Sequence, residues 1–155
     1  MLKCNIISVG TLKEGYFQAA VEEYLKRLSR FALVKVTEVA EERERKGIPV
    51  ALIIEKEGER LLSCAKGVII ALDKEGQTLS SEDFSRLLGK LASEGKSETS
   101  FLIGGSYGLS PLVKDRADII LSLGKLTYPH QLARVIIAEQ LYRAFTIKEN
   151  IIYHK

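Results

Sequence analysis

Leu102-Ile-Gly-Gly-Ser-Tyr-Gly-Leu-Ser-Pro111, followed a few residues later by Ser122-Leu-Gly-Lys-Leu-Thr-Tyr-Pro-His130, is the stretch on which the fold turns. In each segment an apolar strand gives way to a loop rich in backbone groups, an arrangement suited to a polar small molecule held by main-chain atoms. The second segment runs directly into an amphipathic helix, His130 to Phe145. Working outward, further strands are expected at Leu2 to Val9, Leu33 to Val39, Gly67 to Leu72, Ser100 to Ile103 and Asp118 to Leu123. Helices are expected at Gly15 to Arg30, Pro49 to Cys64 and Ser81 to Ala92, with a short turn near Pro111 to Ala117. Ile- and Val-rich strands separated by helices predict an α/β fold, with a mostly parallel sheet of about five strands covered on both faces.

The 155 residues suit a single domain, taken as 1–155, and neither an internal repeat nor a Pro/Ser linker divides them. The hydrophobic content of 46% belongs to a globular chain. The longest apolar runs, such as Val68 to Leu72, are far shorter than the ~18 residues of a membrane span. The N-terminus reads as a strand and not a signal peptide, so a cytoplasmic protein is expected. Cys4 and Cys64 form neither a metal motif nor a disulfide framework and are expected to be buried thiols. A net charge of +3 permits nucleic-acid binding without requiring it.

Local signals agree with this plan. Ser80, Ser81, Glu82 and Asp83 place hydroxyl and acidic groups where the third helix needs acceptors for its free N–H groups. In the last helix Leu132, Val135, Ile136, Leu141 and Phe145 recur close to helical spacing and predict the core-facing side. Glu139 and Arg143 are spaced to pair. Residues 41–47, a run of mixed charge, read as a solvated loop; the competing reading is an arm whose Arg43, Arg45 and Lys46 meet RNA phosphates.

In open α/β sheets ligands bind outside the carboxyl ends of strands. Three strand ends carry suggestive sequence: Ala71-Leu-Asp73, Ile103 to Gly108 and Leu123 to Pro129. The glycines match neither the dinucleotide fingerprint nor a phosphate-binding P-loop. Taken alone, Gly104 to Gly108 is a tight strand-to-helix turn; with two further loops beside it, a ligand pocket is the stronger reading.

These segments together resemble the SPOUT-class methyltransferases, and most closely the ribosomal RNA large subunit methyltransferase H family. The motifs that carry the resemblance are LIGG..GLSP, SL..LT.PH, the following R...AEQLYRA and the terminal YHK, and it spans essentially the whole chain. The resemblance implies a C-terminal trefoil knot and S-adenosylmethionine bound among the knot loops. By match of motif it implies cofactor contacts from Leu72, Gly104, Gly105, Leu123, Gly124, Lys125, Leu126, Thr127, Tyr128 and Pro129. It further implies methylation of N3 of a pseudouridine in helix 69 of 23S rRNA, on the assembled ribosome, by a homodimer.

For that reaction His130, Tyr153 and His154 are the expected catalytic residues. The imide N3–H must lose its proton, and an imidazole at a helix start is biased towards its neutral, accepting form. His130 is thus a general base, a substrate positioner, or only a cap that shapes the loop. The resemblance brings Tyr153 to stack on a base, His154 to hydrogen-bond it and Lys155 to meet a phosphate, with Arg134 and Arg143 as further RNA contacts. Two histidines without ligand spacing make no metal site, and none is expected. Two rival functions remain: a ribosome-binding factor of the same fold without catalysis, and a methyltransferase of another RNA such as tRNA.

Overall fold

The computed structural model describes residues 1–155. In chain order the elements are β1 (Leu2–Val9), α1 (Gly15–Leu28), β2 (Ala32–Val39), α2 (Val50–Cys64), β3 (Val68–Thr78), α3 (Ser81–Ser93), β4 (Glu98–Ile103), α4 (Pro111–Arg116), β5 (Ile119–Ser122) and α5 (His130–Lys148). The strands form one sheet in the order β2-β1-β4-β3-β5, and every pairing is parallel. The expected α/β plan is therefore observed.

Alternation along the strands divides the core in two, because successive side chains point to opposite faces. Cys4 and Ile6 of β1, Ile70 of β3, and Phe101 and Ile103 of β4 pack on one face with Leu28, Phe84, Leu88, Ile137, Leu141 and Phe145 from α1, α3 and α5. Ile7, Val9, Ala71 and Leu102 point to the other face and meet Leu61 of α2 and Val113 of α4. Both faces are covered, which is why the strands read as continuous apolar runs.

Two details depart from expectation. β3 does not end at Leu72: its ladder breaks there and resumes at Gln77, and both residues lie opposite Leu121 of β5. Residues 73–76 thus stand out of the ladder at the strand's carboxyl end. From sequence the strand is expected to end at Leu72, and the reunion with β5 beyond residues 73–76 has no apolar signature.

The second concerns α5. Its buried positions are Arg134, Ile137, Ala138, Leu141, Ala144, Phe145 and Thr146. Leu141 and Phe145 were expected there, but Leu132, Val135 and Ile136 remain only half-buried. Apolar residues occur all around this helix, so spacing alone does not choose the packed side.

Candidate active site: three strand-end loops and the start of the last helix

The excursion in β3 and the loops after β4 and β5 converge at the carboxyl ends of the strands on a cavity of about 340 Å³. Leu72, Asp73 and Lys74 come from the excursion in β3, and Ile103, Gly104, Gly105, Ser106, Tyr107 and Gly108 from the turn after β4. Leu123, Gly124, Leu126, Thr127 and Tyr128 come from the segment after β5, and His130 and Ala133 from the first turn of α5.

The turn after β4 is tight. Gly108 adopts φ +80° and donates its N–H to the Gly105 carbonyl at 3.1 Å. A Cβ on Gly104 would lie 2.6 Å from the Gly108 carbonyl carbon and oxygen, so no side chain fits there without moving backbone. Below the turn, the buried Glu57 of α2 accepts a hydrogen bond from Glu42 N–H at 3.1 Å. Burial raises the Glu57 carboxyl above its usual range, opposed by that hydrogen bond.

Of the residues expected at the cofactor, Leu72, Gly104, Gly105, Leu123, Gly124, Leu126, Thr127 and Tyr128 line this cavity, Leu126 at a rim where it is 73% exposed. Lys125 and Pro129 do not line it; both are exposed, and Pro129 is the residue before α5. Lys74 and Ala133 do line it and were not singled out from sequence. Only the ladder break in β3 and the pitch of α5 bring them there, and neither shows in residue types.

His130 sits at the cavity wall. Burial is the largest influence on its imidazole and holds it below the usual histidine value; the Arg134 cation adds to this and Glu41 opposes it. The neutral ring is an acceptor.

Arg134, expected to face RNA, does not: it is 1% exposed. Its guanidinium donates to Glu38 Oε2 at 2.6 Å, to the Val9 carbonyl at 2.9 Å and to the Gly10 carbonyl at 2.6 Å. A side chain so enclosed is not presented to a macromolecule at this surface.

Tyr153 and His154 are held elsewhere on the same chain. The Tyr153 hydroxyl donates to Glu139 Oε1 at 3.0 Å, its ring packs edge-on against Tyr142, and the Arg143 guanidinium lies over it at 4.8 Å. Arg143 pairs with Glu139, as the spacing predicted, and approaches His154 Nδ1 at 3.1 Å. His154 Nε2 meets Glu82 of α3 at 2.7 Å. Lys155 is exposed. None of these residues lines the cavity of its own chain. Glu139 is nine residues along α5 from His130, about 14 Å at ~1.5 Å per residue.

Residues 41–47 are mostly exposed yet anchored. Glu42 pairs with Arg60 and Lys56, and Tyr107 of the glycine turn donates to Glu44. Elsewhere, no three His, Cys, Asp or Glu side chains gather as metal ligands, and no helix is long and apolar enough to cross a membrane.

Comparison with known proteins adds to this geometry. Residues 2–154 match the family described as "Predicted SPOUT methyltransferase". The chain is 46% identical to a ribosomal RNA large subunit methyltransferase H of Caldicellulosiruptor saccharolyticus, over 97% of this chain and 99% of the relative. It is 45% identical to the protein of that name from Streptococcus gordonii, over 99% of this chain and 100% of that one. Among solved structures, a probable methylase family protein from Haemophilus influenzae superposes with a TM-score of 0.56 at 11% identity, covering 99% of this chain and 70% of that one. A Legionella pneumophila protein described as a methyltransferase, solved with its bound cofactor SAM, gives 0.52 at 14% identity over 92% of this chain and 66% of that one. At such identities these two likenesses speak for the fold alone.

Proposed function

The chain belongs to the SPOUT methyltransferase family, and from that premise we propose that it transfers a methyl group from S-adenosylmethionine to N3 of a pseudouridine in helix 69 of 23S rRNA, acting as a homodimer on the assembled ribosome in the cytoplasm. The observation that carries this reading is the convergence of three strand-end loops and His130 on one cavity. Relatives matched over nearly their full length and named for ribosomal RNA support the substrate class.

The cavity suits the cofactor. Its volume of about 340 Å³ lies within the ~300–1,000 Å³ of small-molecule sites. Leu72, Ile103, Leu123, Leu126 and Ala133 offer apolar wall, and Gly104, Gly105 and Gly124 leave backbone uncovered for the donors and acceptors that an adenine edge needs. Leu72, Gly104, Gly105, Leu123, Gly124, Leu126, Thr127 and Tyr128 would hold the cofactor, with Lys125 and Pro129 shaping the loop around it. When bound, the cofactor supplies an electrophilic methyl group on its sulfonium.

The protein's own part is orientation and one proton. Neutral His130 accepts the imide N3–H at a ring nitrogen, as a base or as the acceptor that turns N3 towards the methyl group. Tyr153 stacks on a base, His154 hydrogen-bonds it and Lys155 meets a phosphate. Arg143, paired with Glu139 and lying over Tyr153, holds the tail in shape.

Because the tail lies along α5 and away from the cavity of its own chain, both sets of residues reach one base only if a second chain brings its tail to the first chain's cavity. The half-buried Leu132, Val135 and Ile136 leave an apolar side of α5 for that contact. The knotted threading belongs to the same proposal. β5 is an edge strand, yet Arg134, four residues into α5, binds the end of β1 on the far side of β3 and β4. Residues 123–129 must therefore cross the ends of the intervening strands.

Complementation tests the composite site. His130→Ala and a chain lacking residues 153–155 should each be inactive, while their mixed dimer regains activity at one of its two sites. A mixture as inactive as its parts contradicts the shared site.

A further inference from the structure

Arg134 is among the largest fully buried side chains of the molecule, and the reaction assigned above makes no use of it. Its contacts all lie on the side of α5 facing the ends of β1 and β2. Val9 closes β1, Gly10 begins the loop after it, and Glu38 lies one residue from the end of β2. Glu38 Oε2 also accepts from Leu12 N–H at 2.8 Å, so one carboxylate joins the loop after β1 to α5. Meanwhile α5 follows Pro129 with no side-chain cap, and its first turn provides His130 and Ala133 to the cavity wall.

We propose that Arg134 is the positioning residue for His130, its guanidinium pinning the first turn of α5 to the carboxyl ends of β1 and β2 and so setting where the imidazole stands in the cavity. This rests on the assignment of His130 to the substrate imide. The fork of the guanidinium suits the task, because it reaches two carbonyls and a carboxylate at once; an ammonium is a point charge without that fixed geometry. The arrangement is poorly explained by stability alone. Arg134 Nε is buried without a partner, and burying a cation costs desolvation that an apolar residue of similar volume avoids.

The cation also acts on the ring. From its own helix His130 feels Arg134, which favours the neutral form, and from the segment after β2 it feels Glu41, which opposes this. Across the cavity stand Asp73 and Lys74 from β3, Tyr107 from the turn after β4 and Tyr128 from the loop before α5.

The test follows His130 itself by NMR, in the full-length protein with the rings assigned by a His154→Ala variant, beside turnover on ribosomes. Arg134→Met should keep the folded amide spectrum, displace the His130 ring resonances, move its titration to higher pH and lower kcat about 100-fold, the cost of misplacing a reacting group by roughly an ångström. Arg134→Lys, which keeps the charge but not the fork, should hold the titration near the wild-type position and recover only part of kcat. Unchanged turnover in Arg134→Met overturns the proposal, as does a loss of turnover with the His130 resonances unmoved. Should Arg134→Met fail to fold, Glu38→Gln frees one side of the clamp and must displace the same resonances and lower kcat. A His130→Ala variant with full turnover would sink the catalytic assignment instead, while the ring titration would still report on the clamp.

Discussion

The imidazole of His154 stands with Nε2 2.7 Å from Glu82 Oε1, tying the tail of the chain to the first turn of α3. The hydrogen bond from His154 is the main influence holding the Glu82 carboxyl below its ordinary value of 4.5. A carboxylate depressed in the folded state stabilises it fully above the ordinary value and loses that contribution as pH falls through the lower, folded one. The tail should therefore loosen on acidification below about pH 4.5. Glu82→Gln should loosen it already at neutral pH. Amide exchange of residues 152–155 measures both, and equal protection in wild type and variant would show that the contact does not hold the tail.

Removing residues 153–155 should leave cofactor affinity nearly unchanged, because none of them lines the cavity of its own chain. Transfer to ribosomes should fall by about 100-fold or more, as expected when substrate-positioning groups are lost. Calorimetry for binding and a single-turnover assay for transfer separate the two. A truncated chain that methylates at the normal rate removes the tail from the mechanism.

His130→Ala should lower turnover by about 100-fold or more if the ring takes the proton, the usual scale of general-base catalysis. Burial first, and Arg134 second, hold the ring below its ordinary 6.5. As pH falls, the unfolded chain takes up this proton before the folded one. The contribution to stability is therefore complete above about 6.5 and erodes as pH drops towards the folded value. Turnover should show an acid limb below 6.5 that His130→Ala removes. The same limb in the variant would assign it to another group.

Gly104→Ala should be the most damaging single methyl addition in the turn after β4, since the new Cβ meets Gly108 backbone at 2.6 Å. Gly105→Ala meets the Val9 side chain at 3.1 Å, a neighbour better able to yield. Overpacking of this kind costs about 1–3 kcal/mol. The melting temperature and the cofactor affinity should rank Gly104→Ala below Gly105→Ala and both below wild type. The reverse order would mean that the turn relaxes freely.

Cys4, fully buried in β1, has its thiol pushed up to about 12 by desolvation, whereas Cys64 at the end of α2 is partly exposed. Native protein should take up one equivalent of a thiol reagent, at Cys64, and a second only on unfolding. Labelling of Cys4 in the native state would indicate local opening of β1.

The fold was legible because its signals are local. The apolar runs of β1 and β4, the polar start of α3 at Ser80, and glycines after β4 are each written in a few adjacent residues. The cavity was legible for a related reason: its walls are strand ends that announce themselves by glycine and proline. What escaped depends on contacts between distant parts of the chain. Arg134 reads as a surface cation until Glu38 and the carbonyls of Val9 and Gly10 are found around it. Asp73 and Lys74 read as the end of a strand until Gln77 rejoins β5. The packed side of α5 was misplaced because Leu132 and Ile136 are as apolar as Ile137 and Leu141. Where the tail docks was not readable at all, since Glu82 and Glu139 look like ordinary surface acids.

The most direct test is methyl transfer from labelled S-adenosylmethionine to ribosomes lacking the modification, with isolated subunits alongside, followed by nuclease mapping and mass spectrometry. Label on N3 of a helix 69 pseudouridine of 23S rRNA, from assembled ribosomes, is the predicted result. Bound cofactor with no label in 23S rRNA, or label at another nucleotide, would contradict it.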